Sequence, residues 1–168
     1  MHVGNVWAAH VADGNDLLAA ALQDLGTTPL GLREIEALTL VGTHSDCSSE
    51  WLRERVGLSQ SGTVRLVDRL VSLDLLRRKR SQGREVALTV TPQARRILRR
   101  WSSSRDEAMT TALAPLSVAE RKTLTDLLAK ALLGNERVRS VADRTCRTCD
   151  WAACEPSCPV DGSVTEEE

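Results

Sequence analysis

The sequence predicts a mainly helical protein with one small β-hairpin, and two segments indicate this fold class. Residues 48–75 hold two stretches with apolar side chains at helical spacing, separated by Gly57-Leu58-Ser59. Residues 77–90, RRKRSQGREVALTV, hold two short strand-like runs around Ser81-Gln82-Gly83. Two helices joined by a short turn containing Gly form a helix-turn-helix, and the hairpin would be its wing. The predicted fold is therefore a winged helix-turn-helix with a helical dimerisation region.

Capping residues predict where the helices begin. The first helix is predicted at Asn15–Leu25 and the second at Pro29–Val41, with Thr28-Pro29 at its start. Ser48 or Ser49 is the predicted cap of the third helix, Ser59 of the fourth, Thr91-Pro92 of a long fifth that reaches about Leu113, and Ser117 with Glu120 of a sixth that ends near Gly134-Asn135. In the fourth helix, Val64, Val67, Leu70 and Val71 form the predicted apolar stripe. The acidic end, residues 160–168, is predicted to be disordered.

The net charge of −1 conceals a strong segregation of charge along the chain. Residues 53–105 carry fourteen Lys and Arg against four acids, a net charge of +10. Residues 1–52 and 143–168 carry −6 and −5. The basic block coincides with the predicted winged unit, which indicates a nucleic-acid partner. Four of its arginines, Arg95, Arg96, Arg99 and Arg100, are equally well interpreted as a solvated helix face.

The segment GLSQSGTVRLVDRLVSLDLLRRKR, the hairpin and the following VTPQA resemble the MarR family of bacterial transcription regulators, over roughly Pro29 to Leu133. The resemblance implies a homodimer formed by the first and last two helices, a fourth helix in the major groove of DNA and a wing in the minor groove. It also implies a small-molecule effector bound between the DNA-reading unit and the dimer helices. Family wings carry Asp-x-Arg, and Gln82 stands here at the Asp position before Arg84.

The first turn of the fourth helix supplies the predicted base and phosphate contacts, because the N-terminal part of a recognition helix reaches base edges. Arg65 is the best candidate for bidentate recognition of guanine. Arg69, one turn later, is either a second DNA contact or a partner in a salt bridge near Asp68. The predicted DNA-binding residues are Gln60, Ser61, Gly62, Thr63, Arg65, Arg69, Lys79, Arg80, Gln82 and Arg84.

A second motif consists of Cys146, Cys149, Cys154 and Cys158, which are separated by two, four and three residues. In a cytosolic chain such spacing indicates a metal or redox site rather than a structural disulfide. Zinc bound by four thiolates is the first interpretation. An iron–sulfur cluster is the second, and thiol–disulfide switching without metal is the third. Cys47 stands apart and is predicted to be structural or incidental.

Four segments follow from these patterns. Residues 1–28 are predicted as an arm and dimerisation helix, 29–91 as the winged DNA-binding domain, 92–138 as dimerisation helices, and 139–168 as a cysteine-rich segment with an acidic tail. No apolar run is long enough to cross a membrane and no basic-then-apolar leader is present, so a cytoplasmic protein without a membrane partner is expected.

Catalysis is not expected, because the sequence lacks a nucleophile elbow, a phosphate loop and an HExxH motif. With 2% aromatic residues, a stacking platform for single strands is also disfavoured. The predicted function is that of a dimeric regulator that reads double-stranded DNA at a pseudo-palindromic site. The alternative is a winged-helix protein-interaction or metal-carrier module that does not read DNA.

Overall fold

A computed structural model describes residues 2–23, 25, 30–80 and 86–165, with Arg80 in its backbone only. The described chain is mainly helical with a small antiparallel sheet, as the sequence predicts. The helices are α1 (Val3–Gln23), α2 (Leu32–Thr43), α3 (Ser49–Val56), α4 (Gln60–Ser72), α5 (Pro92–Ala112), α6 (Val118–Leu133), α7 (Arg139–Thr145) and α8 (Trp151–Cys154). The strands are β1 (Cys47–Ser48), β2 (Leu76–Arg80) and β3 (Val86–Val90).

Four predicted N-caps are confirmed, because each is a local interaction between a side chain and the backbone that follows it. The side chains of Ser48, Ser59, Thr91 and Ser117 each accept a hydrogen bond from a backbone N–H in the first turn of the following helix. At α6 the Glu120 carboxylate also accepts from the Ser117 N–H at 2.8 Å, which completes the capping box.

The first two helices differ from their predicted bounds. Helix α1 begins at Val3 rather than Asn15, because Ala-rich residues before Asn15 continue the helix through Gly14. Helix α2 begins at Leu32 with Gly31 as its N-cap, so the predicted start at Pro29 is wrong. The Glu34 carboxylate accepts from the Gly31 N–H at 3.0 Å and thereby fixes the helix start after the proline. Thr28 and Pro29 themselves lie outside the described residues.

The sheet has three strands in the order β1-β3-β2, one more than the predicted hairpin. Strand β2 pairs with β3 from Leu76↔Val90 to Arg80↔Val86. The added strand β1 pairs Cys47 with Leu88 on the other edge of β3. Two residues are too few to show strand periodicity in a sequence, so only the long-range pairing defines β1.

The helix-turn-helix consists of α3, a turn and α4, and it packs around one apolar core. Gly57 ends α3 with a φ of 67°, a left-handed conformation that favours glycine and turns the chain into Ser59. Helices α2, α3 and α4, the sheet and the start of α5 bury a shared set of side chains, which includes Leu38, Leu52, Leu70, Leu75 and Leu88, each 0% exposed.

A second, smaller core attaches α1 to α5. Trp101 of α5 is 1% exposed and packs with Ala21, Leu25 and Ile35. The first half of α1 lies beyond this contact, and Val3 and Trp7 in it are 82% and 54% exposed. Helix α6 has no buried residue at all in the single chain. Both helices therefore present apolar surface that the single chain does not cover.

The C-terminal segment, defined here as residues 137–165, is folded onto the rest of the protein. Residues 161–163 form a 3₁₀ turn, and the Arg137 N–H donates to the Ser163 carbonyl oxygen at 3.0 Å. Val160 is 5% exposed. The prediction of disorder from residue 160 is therefore wrong up to residue 165, because these long-range contacts offset the acidic composition. Residues 166–168 lie outside the description.

Within the described residues, no helix is both long enough and apolar enough to cross a membrane.

Candidate functional site

The outer face of α4 begins at its cap and carries most of the predicted reading residues. Ser59 Oγ accepts from the Gly62 N–H at 3.1 Å, which leaves Gln60 and Ser61 exposed on the first turn. Arg65 is exposed on the same helix one turn later. Thr63 faces inward instead: it is 2% exposed, and its hydroxyl donates to the Ser59 carbonyl oxygen at 3.1 Å. The accessible face is thus formed by Gln60, Ser61 and Arg65.

The structure gives Gly62 and Val64 different environments from those that the sequence predicts. A Cβ at Gly62 would lie 3.2 Å from Ser59 Oγ, so the glycine makes room for the cap within the chain itself. Val64 is 47% exposed, and its assignment to the buried stripe is wrong. The buried face of α4 is Thr63, Leu66, Val67 and Leu70. Its apolar spacing is offset by one residue because Thr63 rather than Val64 points into the core.

The charged residues in the second half of α4 are ion-paired. Arg69 Nε lies 3.1 Å from Glu34 Oε1 of α2. Asp68 accepts a hydrogen bond from Arg78 of β2 at 2.6 Å. The salt-bridge interpretation of Arg69 therefore has a specific partner, which is Glu34 rather than Asp68. The Asp68–Arg78 pair links the wing to α4.

The wing extends the basic surface beside α4. Arg77 and Lys79 are exposed on β2, where Arg77 lies 3.9 Å from Asp74 Oδ1. The backbone of Arg80 pairs with Val86 at the end of the hairpin. The predicted wing-tip contacts Gln82 and Arg84 lie outside the described residues. Four exposed arginines of α5, namely Arg95, Arg96, Arg99 and Arg100, continue the positive charge beyond the sheet.

The C-terminal segment is attached to the winged unit by ion pairs that the sequence does not predict. Arg55 Nε of α3 donates to Asp143 Oδ2 of α7 at 2.7 Å, and the two side chains are 8% and 1% exposed. Arg147 Nε donates to Glu36 Oε1 of α2 at 2.8 Å. The partners are 88 and 111 residues apart in the chain, so no local pattern links them.

Aromatic and cationic groups stack beside these ion pairs. The Arg55 guanidinium lies 4.0 Å from the centroid of the Trp51 ring. The centroids of the His44 and Trp51 rings lie 4.8 Å apart. Trp151 of α8 meets His44 edge-on at 5.6 Å. Burial lowers the pKa of His44 below its usual value, although nearby Asp143 acts in the opposite direction. The stack therefore packs the His44 imidazole between the winged unit and the C-terminal segment.

The four C-terminal cysteines are brought together as thiols. A hydrogen bond with Cys149, and then burial, raises the pKa of Cys146 well above its usual range. The hydrogen bond from Cys146 lowers the pKa of Cys149 to about 7, assisted by the charges of Arg105 and Arg147. In the part of the chain that the structure describes, no three His, Cys, Asp or Glu side chains stand in a ready metal-ligating arrangement. The sequence thus predicts that the cysteines lie in one segment, but not the hydrogen bonds between their thiols.

Cys47 has the properties of a structural residue. It lies half-buried in β1, and burial raises the pKa of its thiol to about 11. A thiol that stays protonated is a poor nucleophile, and Cys47 is about a hundred residues away in the chain from the other four cysteines.

A cleft of about 630 Å³ lies between α2, α5 and the C-terminal segment. Thr39 of α2 and Trp101 of α5 line its inner side, and Arg95 and Arg99 contribute cationic groups. Trp151 of the C-terminal segment forms the opposite wall. Asp106, Asp150 and Glu155 also line the cleft, so it combines apolar and aromatic surface with both positive and negative charge.

Residues 25–85 match the sequence profile of the MarR family. No curated protein sequence is a recognisable relative of this chain. Among solved structures, the chain is similar to a MarR family protein of Mycobacterium tuberculosis in complex with DNA, with a TM-score of 0.65 and 20% identity, over 80% of this chain and 99% of that one.

Two further structures have the same fold. One is a Mycobacterium tuberculosis MarR family protein in complex with p-aminosalicylic acid, with a TM-score of 0.62, 21% identity and coverage of 78% of this chain and 98% of that chain. The other is apo MarR from E. coli, with a TM-score of 0.65, 19% identity and coverage of 79% and 98%. The chain thus has the fold of the MarR family transcription regulators, and residues 25–85 carry the sequence pattern of that family.

Proposed function

We propose that this chain is a MarR family transcription regulator that binds double-stranded DNA as a homodimer at a pseudo-palindromic operator. The observation that carries the proposal is the exposed outer face of α4 beside the basic strand β2. A convex helix flanked by positive charge fits a major groove between two phosphate backbones. The similar structure of a MarR family protein in complex with DNA supports the same use of this face.

Within that face, Arg65 reads guanine and Val64 supplies apolar contact. The Arg65 guanidinium is exposed and suits the O6 and N7 acceptors of guanine. Val64, exposed beside it, suits the methyl group of thymine. Gln60 and Ser61 complete the contacts at the start of the helix, and Lys79, Arg80 and Arg84 of the wing bind phosphates or the minor groove. These assignments give each surface residue a distinct effect on specificity or affinity.

We expect Arg65→Ala to relax preference at one base position in each half-site, whereas Arg84→Ala weakens binding to every duplex. The discrimination lost at the Arg65 position should be about 1–3 kcal/mol, or roughly 5- to 150-fold. The measurement is selection of binding sites from random duplex DNA, followed by titration of each variant on the selected site and on single-base changes. Selection should yield an inverted repeat with half-sites about one helical turn apart.

A duplex with the same composition in scrambled order is the control for sequence preference. If both variants keep the wild-type affinity and base preference, the assignment of α4 and the wing as reading elements is refuted. Failure to enrich any repeat, with equal binding to the scrambled duplex, would favour the protein-interaction alternative.

Dimerisation uses the surfaces that the single chain leaves uncovered. Helix α6 carries Leu127 and Leu133, which are 61% and 52% exposed, and the first half of α1 adds Val6 and Trp7. Pairing these helices across a two-fold axis removes apolar surface from water and sets two α4 helices on one face of the DNA. Pairing of the same helices in both subunits also follows the resemblance to the family.

We expect a homodimer at micromolar concentration and a monomer after the double change Leu127→Glu/Leu133→Glu, since four buried carboxylates would then face one another across the axis. Light scattering measures the mass. Val141→Glu is the matched control, because Val141 is 40% exposed on α7, outside the proposed interface. A monomeric wild type, or a dimer that the double change leaves intact, contradicts this interface.

The cleft between α2, α5 and the C-terminal segment is the proposed effector site. Arg95 and Arg99 offer cationic partners for a carboxylate, Trp101 and Trp151 provide aromatic surface, and the rest of the lining includes three acids, Asp106, Asp150 and Glu155. A small aromatic molecule with its carboxylate at the two arginines fits this chemistry, and the structure of a MarR family protein with p-aminosalicylic acid gives a parallel.

A further inference from the structure

The four cysteines of the C-terminal segment have no role in DNA recognition, and the fold presents them in two pairs. Cys146 caps the end of α7, and the Cys149 N–H donates to its carbonyl oxygen at 2.9 Å across a tight turn. Cys154 ends α8, and a second turn, closed by the Ser157 N–H at 2.9 Å from the Cys154 carbonyl oxygen, leads to Cys158. Paired cysteines on short turns are how proteins supply four thiolates to one zinc ion.

Contacts between the side chains join the two pairs. The Cys146 thiol hydrogen-bonds with the thiols of both Cys149 and Cys158. Cys154 lies near enough to Cys149 and Cys158 to interact with their charges. Thiols that share a hydrogen bond are about as close as the sulfurs of a tetrahedral site with Zn–S bonds of ~2.3 Å. No three of the four sulfurs stand in a metal-ligating arrangement in the described chain, so binding of Zn²⁺ requires their side chains to rotate toward one another.

We propose that Cys146, Cys149, Cys154 and Cys158 bind one Zn²⁺ per chain and that the loaded segment braces α3 against α5. Binding forms four Zn–S bonds and releases the thiol protons to solvent, and no electrons are transferred. The four thiolates and the ion carry a net charge of about −2. Arg105 and Arg147 interact with Cys149 and offset this charge.

Zinc fits these cysteines better than the two other interpretations. The spacing of two, four and three residues differs from the two, two, three spacing typical of bacterial ferredoxins. Cys146 contacts two of the other cysteines, Cys149 and Cys158, rather than a single disulfide partner. A site that uses all four thiols at once accounts for both observations.

The position of the cluster explains the bracing. One side of the segment is held to α3 by the Arg55–Asp143 ion pair. On the other side, Arg105 of α5 donates a hydrogen bond to the Thr148 carbonyl oxygen, inside the turn between Cys146 and Cys149. A metal ion that fixes this turn therefore fixes the distance between the helix-turn-helix and the long helix that follows the wing.

The test uses the full chain and Zn²⁺ alone, and neither readout involves DNA. Protein purified under reducing conditions is analysed for metal per chain, and its Co²⁺-substituted form is examined for the absorption of a tetrahedral tetrathiolate. We expect about one equivalent of zinc in the wild type and in the control Cys47→Ser, and loss of that zinc in Cys149→Ser/Cys158→Ser. Hydrogen exchange of the wild type before and after chelation measures the brace without any substitution.

Chelation should speed exchange in α7 and in α3 at least about tenfold, because the metal supplies folding free energy to the segment. A brown protein with iron and sulfide, or a disulfide among the four cysteines, overturns the zinc site. Four reactive thiols in protein saturated with Zn²⁺ overturn it as well. Zinc bound at one equivalent with unchanged exchange in α3 overturns the brace.

Discussion

Replacing Asp143 by alanine is expected to lower the free energy of unfolding by about 3–5 kcal/mol. The substitution leaves the Arg55 guanidinium, 8% exposed, without its carboxylate partner at 2.7 Å. Its remaining contacts are the Trp51 carbonyl oxygen at 3.2 Å, the Trp51 ring with its centroid at 4.0 Å, and the half-exposed Glu54 carboxylate at 3.4 Å. These do not neutralise a buried charge as Asp143 does. Urea denaturation of the two proteins measures the difference.

Two further variants separate the charge from the packing. Arg139→Ala removes a half-exposed cation 3.8 Å from Asp143 and 2.7 Å from the half-exposed Asp161, and should cost about 1 kcal/mol or less. Arg55→Met/Asp143→Leu removes both charges and should recover most of the loss, because an apolar pair of similar volume avoids desolvation. If Asp143→Ala costs no more than Arg139→Ala, the ion pair does not hold the C-terminal segment.

The sequence predicts the local contacts of this fold, but not long-range contacts such as the Arg55–Asp143 pair. Ser48, Ser59, Thr91 and Ser117 are predictable as caps because each acts on backbone within three residues. The docking of α7 on α3 is not predictable, because its partners are 88 residues apart and each arginine has many acids to choose from. Strand β1 is missed for the same reason, since only its pairing with β3 identifies it.

The candidate site shows the same division between local and long-range information. Helical spacing predicts that Arg65 is exposed, because its neighbours Leu66 and Val67 are buried. Spacing alone misplaces Val64 and Thr63, since a hydroxyl that bonds to its own helix backbone can be buried like a methyl group. The partner of Arg69 lies on α2. The sequence could therefore indicate a salt bridge at Arg69, but not that Glu34 is its partner.

The cysteine cluster is predictable as a motif because its four members lie within one short segment. Its attachment to α2, α3 and α5 is not, because Glu36, Arg55 and Arg105 carry no mark of their partners in the sequence. The same is true of Trp151, which the fold places against His44. The sequence therefore predicts the chemistry of the segment, and the fold adds the link to the winged unit.

Salt should weaken DNA binding steeply, which is the second large effect that we expect. Residues 53–105 carry a net charge of +10, whereas the whole chain carries −1. Lysines and arginines that bind phosphates release counterions, so a protein with 6–10 phosphate contacts loses about 10³–10⁵-fold in affinity between 50 and 200 mM salt. The proposed dimer contains this basic block twice and so has enough cations to reach this range.

The most direct test of DNA recognition is therefore to measure, by fluorescence anisotropy, the affinity of the protein for its selected duplex at increasing salt concentrations. We expect a linear fall of the logarithm of affinity with the logarithm of salt concentration, with a total loss of about 10³-fold or more between 50 and 200 mM. We also expect tighter binding to the selected duplex than to the scrambled one at every salt concentration. Affinity that does not change with salt, or that is equal for both duplexes, would contradict the proposed function.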